Sequence, residues 1–407
     1  MNPDDKIYMF QRSFSNRNFN RNRFSRGRSN GGNFRRSQPK PSTNPMQYVN
    51  KGAAPQTSVG YVVQHQFADF ALDQRIKANV VTRGYTTPTP IQDQIIGHIL
   101  NGKDVVGIAN TGTGKTAAFL LPIINKILLD RNQKVLVLAP TRELAVQIHQ
   151  ELIEFAKGLS ISASIVIGGA SINRQIFGVK LNPNIVIGTP GRLKDLINRH
   201  ILKLAQFQTV VLDEVDRMLD IGFINDIKFI ISHLSRDRQS LFFSATVSAE
   251  INGIIQVFLK NPITVSVKSK ETAQGIEQDV IRISNKEEKI EKLNELLRQD
   301  EFRKVLIFGR TKWNVERLAQ TLEKRGFSVA SIHGNKSQGQ RQRALTQFKE
   351  NQLQVLVATD IAARGLDIDD VSHVINFDEP LSYTDYVHRI GRTGRANKTG
   401  KALTFVG

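Results

Sequence analysis

The chain has 407 residues, 40% of them hydrophobic, and its 56 Lys and Arg against 37 Asp and Glu give a formal net charge of +19. That length predicts two domains, and the positive surplus predicts a polyanionic partner, nucleic acid before an acidic membrane. The absence of cysteine excludes disulfides, iron–sulfur clusters and thiol nucleophiles, and no apolar run reaches the roughly 18 residues of a membrane-crossing helix.

The start, MNPDDKIYMF, has no apolar signal-peptide core, so the expectation is a cytoplasmic protein. Residues 1–66 carry 11 basic and 2 acidic side chains. Within them, residues 10–36 consist only of Arg, Asn, Phe, Ser, Gly and Gln, with eight Arg and five Phe. Lacking aliphatic residues for a core, this segment is expected to be a disordered basic tail. Guanidinium groups suit phosphates and spaced rings suit exposed bases, so RNA contact is expected of it. A tail that serves only solubility is the alternative, and phenylalanine fits that purpose poorly. Pro39, Pro41, Pro45 and Pro55 mark residues 37–66 as linker.

From Phe67 onward, short β-rich runs alternate with amphipathic stretches. Strands are expected at 104–108, 134–139, 162–167, 185–188, 209–213 and 241–244. Helices at 115–129 and 142–157 lie between them, with Gly158 closing the second. A polar run, 269–275, reads as a hinge. The alternation then restarts, with strands at 304–309, 328–332, 354–358 and 373–377 and helices at 286–298, 312–324 and 340–350. The pattern predicts an α/β chain of two tandem parallel-sheet domains, at 67–266 and 277–407, joined by a short hinge.

Ala109-Asn110-Thr111-Gly112-Thr113-Gly114-Lys115-Thr116 follows an expected strand and opens an expected helix. Glycines there let backbone N–H groups surround a phosphate at the positive end of the helix. Lys115 suits the β- and γ-phosphates, and the Thr116 hydroxyl suits Mg²⁺. A Gly-rich turn that binds nothing would not require strand, loop and helix in that order. A later apolar run, 209–212, ends in Asp213-Glu214-Val215-Asp216. Asp213 then suits the metal, and Glu214 is placed to orient or deprotonate a water. The reading is nucleoside triphosphate hydrolysis.

With these motifs in place, residues 67–407 resemble the DEAD-box RNA helicases of superfamily 2, which implies RecA-like domains. Gly84-Tyr85-Thr86-Thr87-Pro88-Thr89-Pro90-Ile91-Gln92 resembles the family's Q motif with Phe67 as its upstream aromatic. The resemblance implies that Gln92 reads an adenine edge and Phe67 stacks on the ring, so the cofactor is ATP. It also implies RNA-backbone contacts by Pro140, Thr141 and Arg142, by Gly168 and Gly169, and by Thr189, Pro190, Gly191 and Arg192. Ser244-Ala245-Thr246 resembles the motif coupling hydrolysis to domain closure.

In the second half, Leu306 to Lys312 resembles motif IV, and Gln338 with Arg341 resembles the Q-x-x-R element that touches RNA phosphate. Thr359 to Asp367 resembles motif V, which implies RNA contact by Thr359 and nucleotide contact by Gly365 and Asp367. Tyr386 to Arg395 resembles motif VI, which singles out His388 and makes Arg392 and Arg395 arginine fingers. An Arg supplied from a second domain makes hydrolysis depend on closure. RNA and ATP then favour one closed state, and backbone contacts give little sequence selectivity.

Two positions depart from the family pattern: Val215 stands where it has Ala, and Asn110 where it usually has Gln. Val215 is expected to cause modest repacking. Gly407 directly follows a strand-like 401–406, so the C-terminal extension by which many relatives find partners is expected to be lacking. Trp313, the only tryptophan, is expected to pack against the sheet rather than stack on a base. Pro122 is expected to kink its helix, and the other seven His show no metal-ligand spacing.

The leading reading is a monomeric ATP-dependent RNA helicase using Mg²⁺. An ATP-switched RNA clamp or annealing chaperone is the alternative, and a DNA translocase is a third. The Q motif and residues 189–192 favour RNA, while Glu214, Arg392 and Arg395 favour turnover. The sequence names no protein partner.

Overall fold

The computed structural model describes residues 61–110, 112–267, 276–363, 368, 370–394 and 400–407, all within one compact unit. The basic segment 10–36, the hinge at 269–275, and Thr111, Gly365, Asp367 and Arg395 lie outside the described residues.

Among the described residues the chain opens with α1 (Gln74–Thr82) and α2 (Pro90–Leu100), then builds a seven-stranded sheet. Its strands are β1 (Val105–Ala109), β2 (Val135–Leu138), β3 (Ala163–Val166), β4 (Ile185–Gly188), β5 (Thr209–Leu212), β6 (Gln239–Ser244) and β7 (Ile263–Val267). They lie in the order β3-β4-β2-β5-β6-β1-β7, every pair parallel. The connecting helices are α3 (Lys115–Leu129), α4 (Arg142–Phe155), α5 (Ile172–Lys180), α6 (Pro190–Asn198), α7 (Val215–Asp220), α8 (Ile224–Ser232) and α9 (Ala249–Phe258).

The period-two pattern of the strands explains why helices cover both faces. Val135, Val137, Val211, Leu241 and Phe243 pack into one buried cluster. Their neighbours Leu136, Leu138, Val210, Leu212 and Phe242 pack into another on the opposite face.

The second sheet has six strands: β8 (Ile276–Arg282), β9 (Val305–Phe308), β10 (Val329–Ile332), β11 (Val355–Ala358), β12 (His373–Asn376) and β13 (Gly400–Val406). Their order is β10-β11-β9-β12-β13-β8, again parallel throughout. Its helices are α10 (Lys286–Leu297), α11 (Lys312–Lys324), α12 (Gln338–Lys349), α13 (Asp360–Ala363) and α14 (Tyr383–Ile390). Because each sheet is parallel, the loops that leave the C-terminal strand ends gather on one edge, the place where open α/β sheets bind ligands.

Several expectations are corrected. Strands β7 and β8 were not anticipated: both are sheet-edge strands with mixed exposure, and Ile276–Arg282 (IEQDVIR) carries four polar residues. Residues 61–66, read as linker, are instead held against α2. The helix α3 continues unbroken through Pro122, which is buried. Trp313, expected against the sheet, is exposed.

Candidate nucleotide site and nucleic-acid interface

The phosphate-type loop joins β1 to α3. Gly112 and Gly114 have φ of +80° and +90°, a region in which a side chain is strained. A Cβ on Gly114 would also collide with the Gln92 amide. Thr113 Oγ1 donates to the Asn110 carbonyl at 2.8 Å and tightens the turn. The Lys115 Nζ is buried and donates to the carbonyls of Ala109 (2.5 Å) and Asn110 (3.1 Å). Glycines without side chains, a helix N-terminus and a buried ammonium together fit an anionic phosphate chain.

Gln92 is fully buried, and its amide does two jobs inside the protein. Its Nε2 donates to the Gly114 carbonyl at 3.0 Å, and its Oε1 accepts from the Thr89 N–H at 2.9 Å. It therefore ties the start of α2 to the phosphate loop. Phe67 is only 5% exposed and meets the rings of Phe70 and Tyr85 at centroid distances of 6.4 and 6.3 Å.

The segment that delivers Phe67 is fastened by an acid that sequence reasoning passed over. Asp93 has no exposed side-chain surface. It accepts from Tyr61 Oη (2.7 Å), the Gln64 N–H (2.7 Å) and the His65 N–H (3.1 Å), and it lies 2.7 Å from His65 Nδ1. Burial opposes ionisation of Asp93, yet these hydrogen bonds hold its carboxyl below the usual range. An acid inside the apolar helix PIQDQIIGHIL was the available signal.

Beyond β5, Glu214 adopts φ +49°, a left-handed conformation uncommon outside glycine. The strand thus turns directly into α7 and leaves Asp213 and Glu214 side by side, with Asp213 Oδ1 accepting the Glu214 N–H at 2.9 Å. Burial pushes Asp213 above its usual range against the pull of Lys115. For Glu214 the same burial is outweighed by Arg217, with Lys115 and Arg392 adding to it, so that its carboxyl is held low. The Arg217 Nη1 lies 2.6 Å from Glu214 Oε2, and both side chains are buried.

The fourth residue of this acidic run holds the next motif. Asp216 Oδ2 accepts from the N–H groups of Ala245 and Thr246, each at 3.0 Å, and from Thr246 Oγ1 at 3.2 Å. Ser244 Oγ donates to the Thr246 carbonyl at 2.7 Å. Val215 is fully buried in the cluster containing Val210, Leu212 and Met218, which absorbs its extra methyl groups.

The residues expected at RNA surround a positive cluster. Arg142 packs over Gly168 and Gly169; a Cβ on Gly169, whose φ is +73°, would fall on the guanidinium. Burial first, then the nearby charges of Arg341 and Arg192, depress the Arg142 pKa. Like charges crowded together favour an anion. Thr141 caps α4 by accepting the Leu144 N–H at 3.3 Å. Thr189, Pro190 and Gly191 start α6, and Arg192 Nη1 donates to Gln175 Oε1 at 3.1 Å.

The second sheet contributes groups across the seam. Arg341 Nη2 lies 2.8 Å from Glu143 Oε2, with side-chain exposures of 8% and 4%. Arg341, expected at RNA phosphate, is thus paired with the first sheet. Gln338 opens the same helix, and the Thr359 N–H donates to the Ile332 carbonyl at 3.3 Å. Arg392 is buried, its Nε donates to the His388 carbonyl at 3.4 Å, and its charge is felt by Glu214.

Arg389, which sequence reasoning left without a role, braces this end. Its Nε and Nη2 pair with Asp360 at 2.6 and 2.8 Å, and its Nη1 donates to the Asp378 carbonyl at 2.6 Å. Among the described residues, no group of three His, Asp or Glu could by itself hold a metal ion. The available donors, Thr116 hydroxyl and Asp213 carboxylate, fit a hard cation that keeps water and shares phosphate oxygens. No described helix is long and apolar enough to cross a membrane.

Comparison with known proteins agrees with this geometry. Residues 89–254 match the family described as DEAD/DEAH box helicase, and residues 288–397 match the helicase conserved C-terminal domain. The chain is 47% identical over 343 residues to the ATP-dependent RNA helicase CshA of Listeria monocytogenes, covering 84% of this chain and 66% of that protein. It is 46% identical over 342 residues to the DEAD-box ATP-dependent RNA helicase CshA of Bacillus subtilis, covering 84% and 69%. The chain therefore spans about two thirds of the length of these relatives. Saccharomyces cerevisiae Dbp5, solved bound to RNA and ADP BeF3, superimposes with a TM-score of 0.74 at 29% identity, covering 84% of this chain and 89% of that one.

Proposed function

The chain belongs to the DEAD-box ATP-dependent RNA helicases, and from that premise we propose that it hydrolyses ATP on binding RNA and locally unwinds or remodels RNA structure. The observation that carries this reading is the seam between the sheets. There Arg392 from the end of α14 acts electrostatically on Glu214, and Arg341 from α12 meets Glu143.

In this reading the N–H groups at the start of α3 and the Lys115 ammonium bind the phosphates. Thr116 and Asp213 would hold Mg²⁺, which would supply positive charge against that developing on the phosphate. Glu214 is kept ionised by Arg217 and takes up the proton of the attacking water. Arg392 adds positive charge to the γ-phosphate only when the two edges meet. Gln92 serves adenine while also fixing Gly114, and Asp93 holds the strap that carries Phe67. We assign Thr111, Gly365, Asp367 and Arg395 their family roles at the nucleotide.

Asp216 links the acidic turn to Ser244-Ala245-Thr246, so a shift at the phosphates reaches that loop directly. The RNA strand lies along Pro140–Arg142, Gly168–Gly169 and Thr189–Arg192 on one side and Gln338, Arg341 and Thr359 on the other. Because these are backbone-type contacts, sequence preference is slight. We place the protein in the cytoplasm.

The test is steady-state phosphate release from ATP with RNA, with single-stranded DNA and with no nucleic acid. RNA alone should stimulate strongly. Equal stimulation by DNA would make it a DNA translocase. RNA binding without hydrolysis would make it an ATP-switched clamp.

A further inference from the structure

Trp313 stands at the second position of α11 and is 70% exposed. The Lys312 Nζ lies 5.6 Å from the indole centroid and donates to Asn335 Oδ1 at 3.1 Å. Asn335 belongs to the loop from β10 to α12. In the strand order β10-β11-β9, strand β11 lies between the two strands that feed these loops. The Lys312–Asn335 hydrogen bond therefore bridges the loops on either side of the β11–α13 turn, where Thr359 sits. The indole consequently shares its edge of the sheet with Gln338, Arg341 and Thr359.

The surroundings decide what the ring is for. Thr311, Lys312, Asn314 and Arg317 around it are polar and at least partly exposed, and the apolar residues of α11, Val315, Leu318 and Leu322, face the core. A protein-docking face would need a contiguous apolar patch, and here a single flat ring stands among polar and charged groups: Lys312, Asn314 and Arg317, with Glu316 one turn along already held by Lys336 and His333. That combination suits a nucleobase: the π face stacks on any base, and the neighbouring ammonium meets phosphate.

We propose that Trp313 is a stacking platform for an unpaired nucleobase of the bound RNA, with Lys312 beside it at the adjoining phosphate. This rests on the reading that the C-terminal edge of the second sheet meets RNA. Stacking on an indole is tolerant of base identity, so the platform adds affinity and register without adding sequence specificity.

The sole tryptophan makes the test direct, because the intrinsic indole emission of the full chain reports this position alone. A 12-nucleotide single-stranded RNA is titrated with a non-hydrolysable ATP analogue present, and binding is followed separately by anisotropy of end-labelled RNA. The indole emission should be quenched with the midpoint given by anisotropy, and an abasic strand of the same length should bind without quenching. Trp313→Ala should weaken RNA binding about tenfold, Trp313→Phe should restore most of it, and basal ATP hydrolysis should be unchanged.

RNA bound by anisotropy with emission unmoved would overturn the platform and leave the RNA reading intact. No RNA binding at all would remove the reading on which the proposal rests, and the proposal with it. An emission change that follows protein concentration without RNA would assign the indole to self-association instead.

Discussion

At the C-terminal edge of the first sheet the reactive groups are Lys115 and the carboxylates of Asp213, Glu214 and Asp216, all close to one turn. At the same edge of the second sheet they are guanidinium groups, Arg341, Arg389 and Arg392, with the exposed indole of Trp313. The first set is cross-linked within its own sheet: Glu214 to Arg217, and Asp216 to Ala245 and Thr246. Of the second set, Arg389 pairs with Asp360 of its own sheet, Arg341 pairs with Glu143 of the other, and Arg392 donates to the His388 carbonyl beside it while its charge also lowers Glu214. The first edge thus gathers the carboxylates and one buried ammonium, and the second edge presents the guanidinium groups that face them. On the proposed reading, neither sheet completes the phosphate chemistry alone, and hydrolysis is expected to depend on closure.

The largest effects should come from the groups that the two edges share. Glu214→Gln and Arg392→Ala should each lower RNA-stimulated ATP hydrolysis by about 10³-fold, measured as phosphate release. Combined, they should fall little further than either alone, because groups that act as a unit are not additive. A fully multiplicative double mutant would mean that the two sheets act independently.

Arg217→Met tests whether the first edge is built locally. It removes the hydrogen-bonded partner of a buried carboxylate, leaving only the more distant charges of Lys115 and Arg392, and should cost about 3 kcal/mol of stability in urea unfolding. A variant as stable as the wild type would show that Glu214 finds another partner.

Asp93→Ala should loosen residues 61–66 and with them Phe67, raising the KM for ATP about tenfold, roughly 1.4 kcal/mol, with little change in kcat. An equal fall in kcat with KM unchanged would show that Asp93 serves a step after binding.

The smallest effect lies in the second sheet. Burial lowers His373, which stacks on Phe302 at 3.8 Å, from its ordinary 6.5 to about 4. The unfolded chain therefore binds the extra proton first, and stability is lost as pH falls from 6.5 toward 4. Between pH 7 and 5.5 this amounts to about 1 kcal/mol. His373→Leu should flatten most of that slope, and His149, also lowered by burial, leaves a remainder in the first sheet. A slope unchanged in His373→Leu would place the titrating group elsewhere.

Much of this was legible in the residues. Apolar strands of four to six residues, separated by amphipathic helices, dictate parallel sheets covered on both faces, and the boundaries of α3 and α11 match the reading to the residue. The phosphate loop was legible because strand, glycines, Lys and helix occur together, and the acidic turn because it ends a wholly buried strand. Strands β7 and β8 were not legible, because an edge strand is half-exposed and need not be apolar.

Local pattern determined the element types, the phosphate loop and the acidic turn, since these depend on neighbours within a few residues of one another. Tertiary structure alone decided the long-range partners. Asp93 meets Tyr61 across 32 residues, Asp216 meets Thr246 across 30, and Arg341 meets Glu143 from another sheet. It also decided which face of α11 is covered, and so left Trp313 in solvent. Periodicity specifies that a helix has an apolar side, whereas the identity of a polar group's partner depends on where the chain returns. The cost of burying an unpaired charge enforces those pairings.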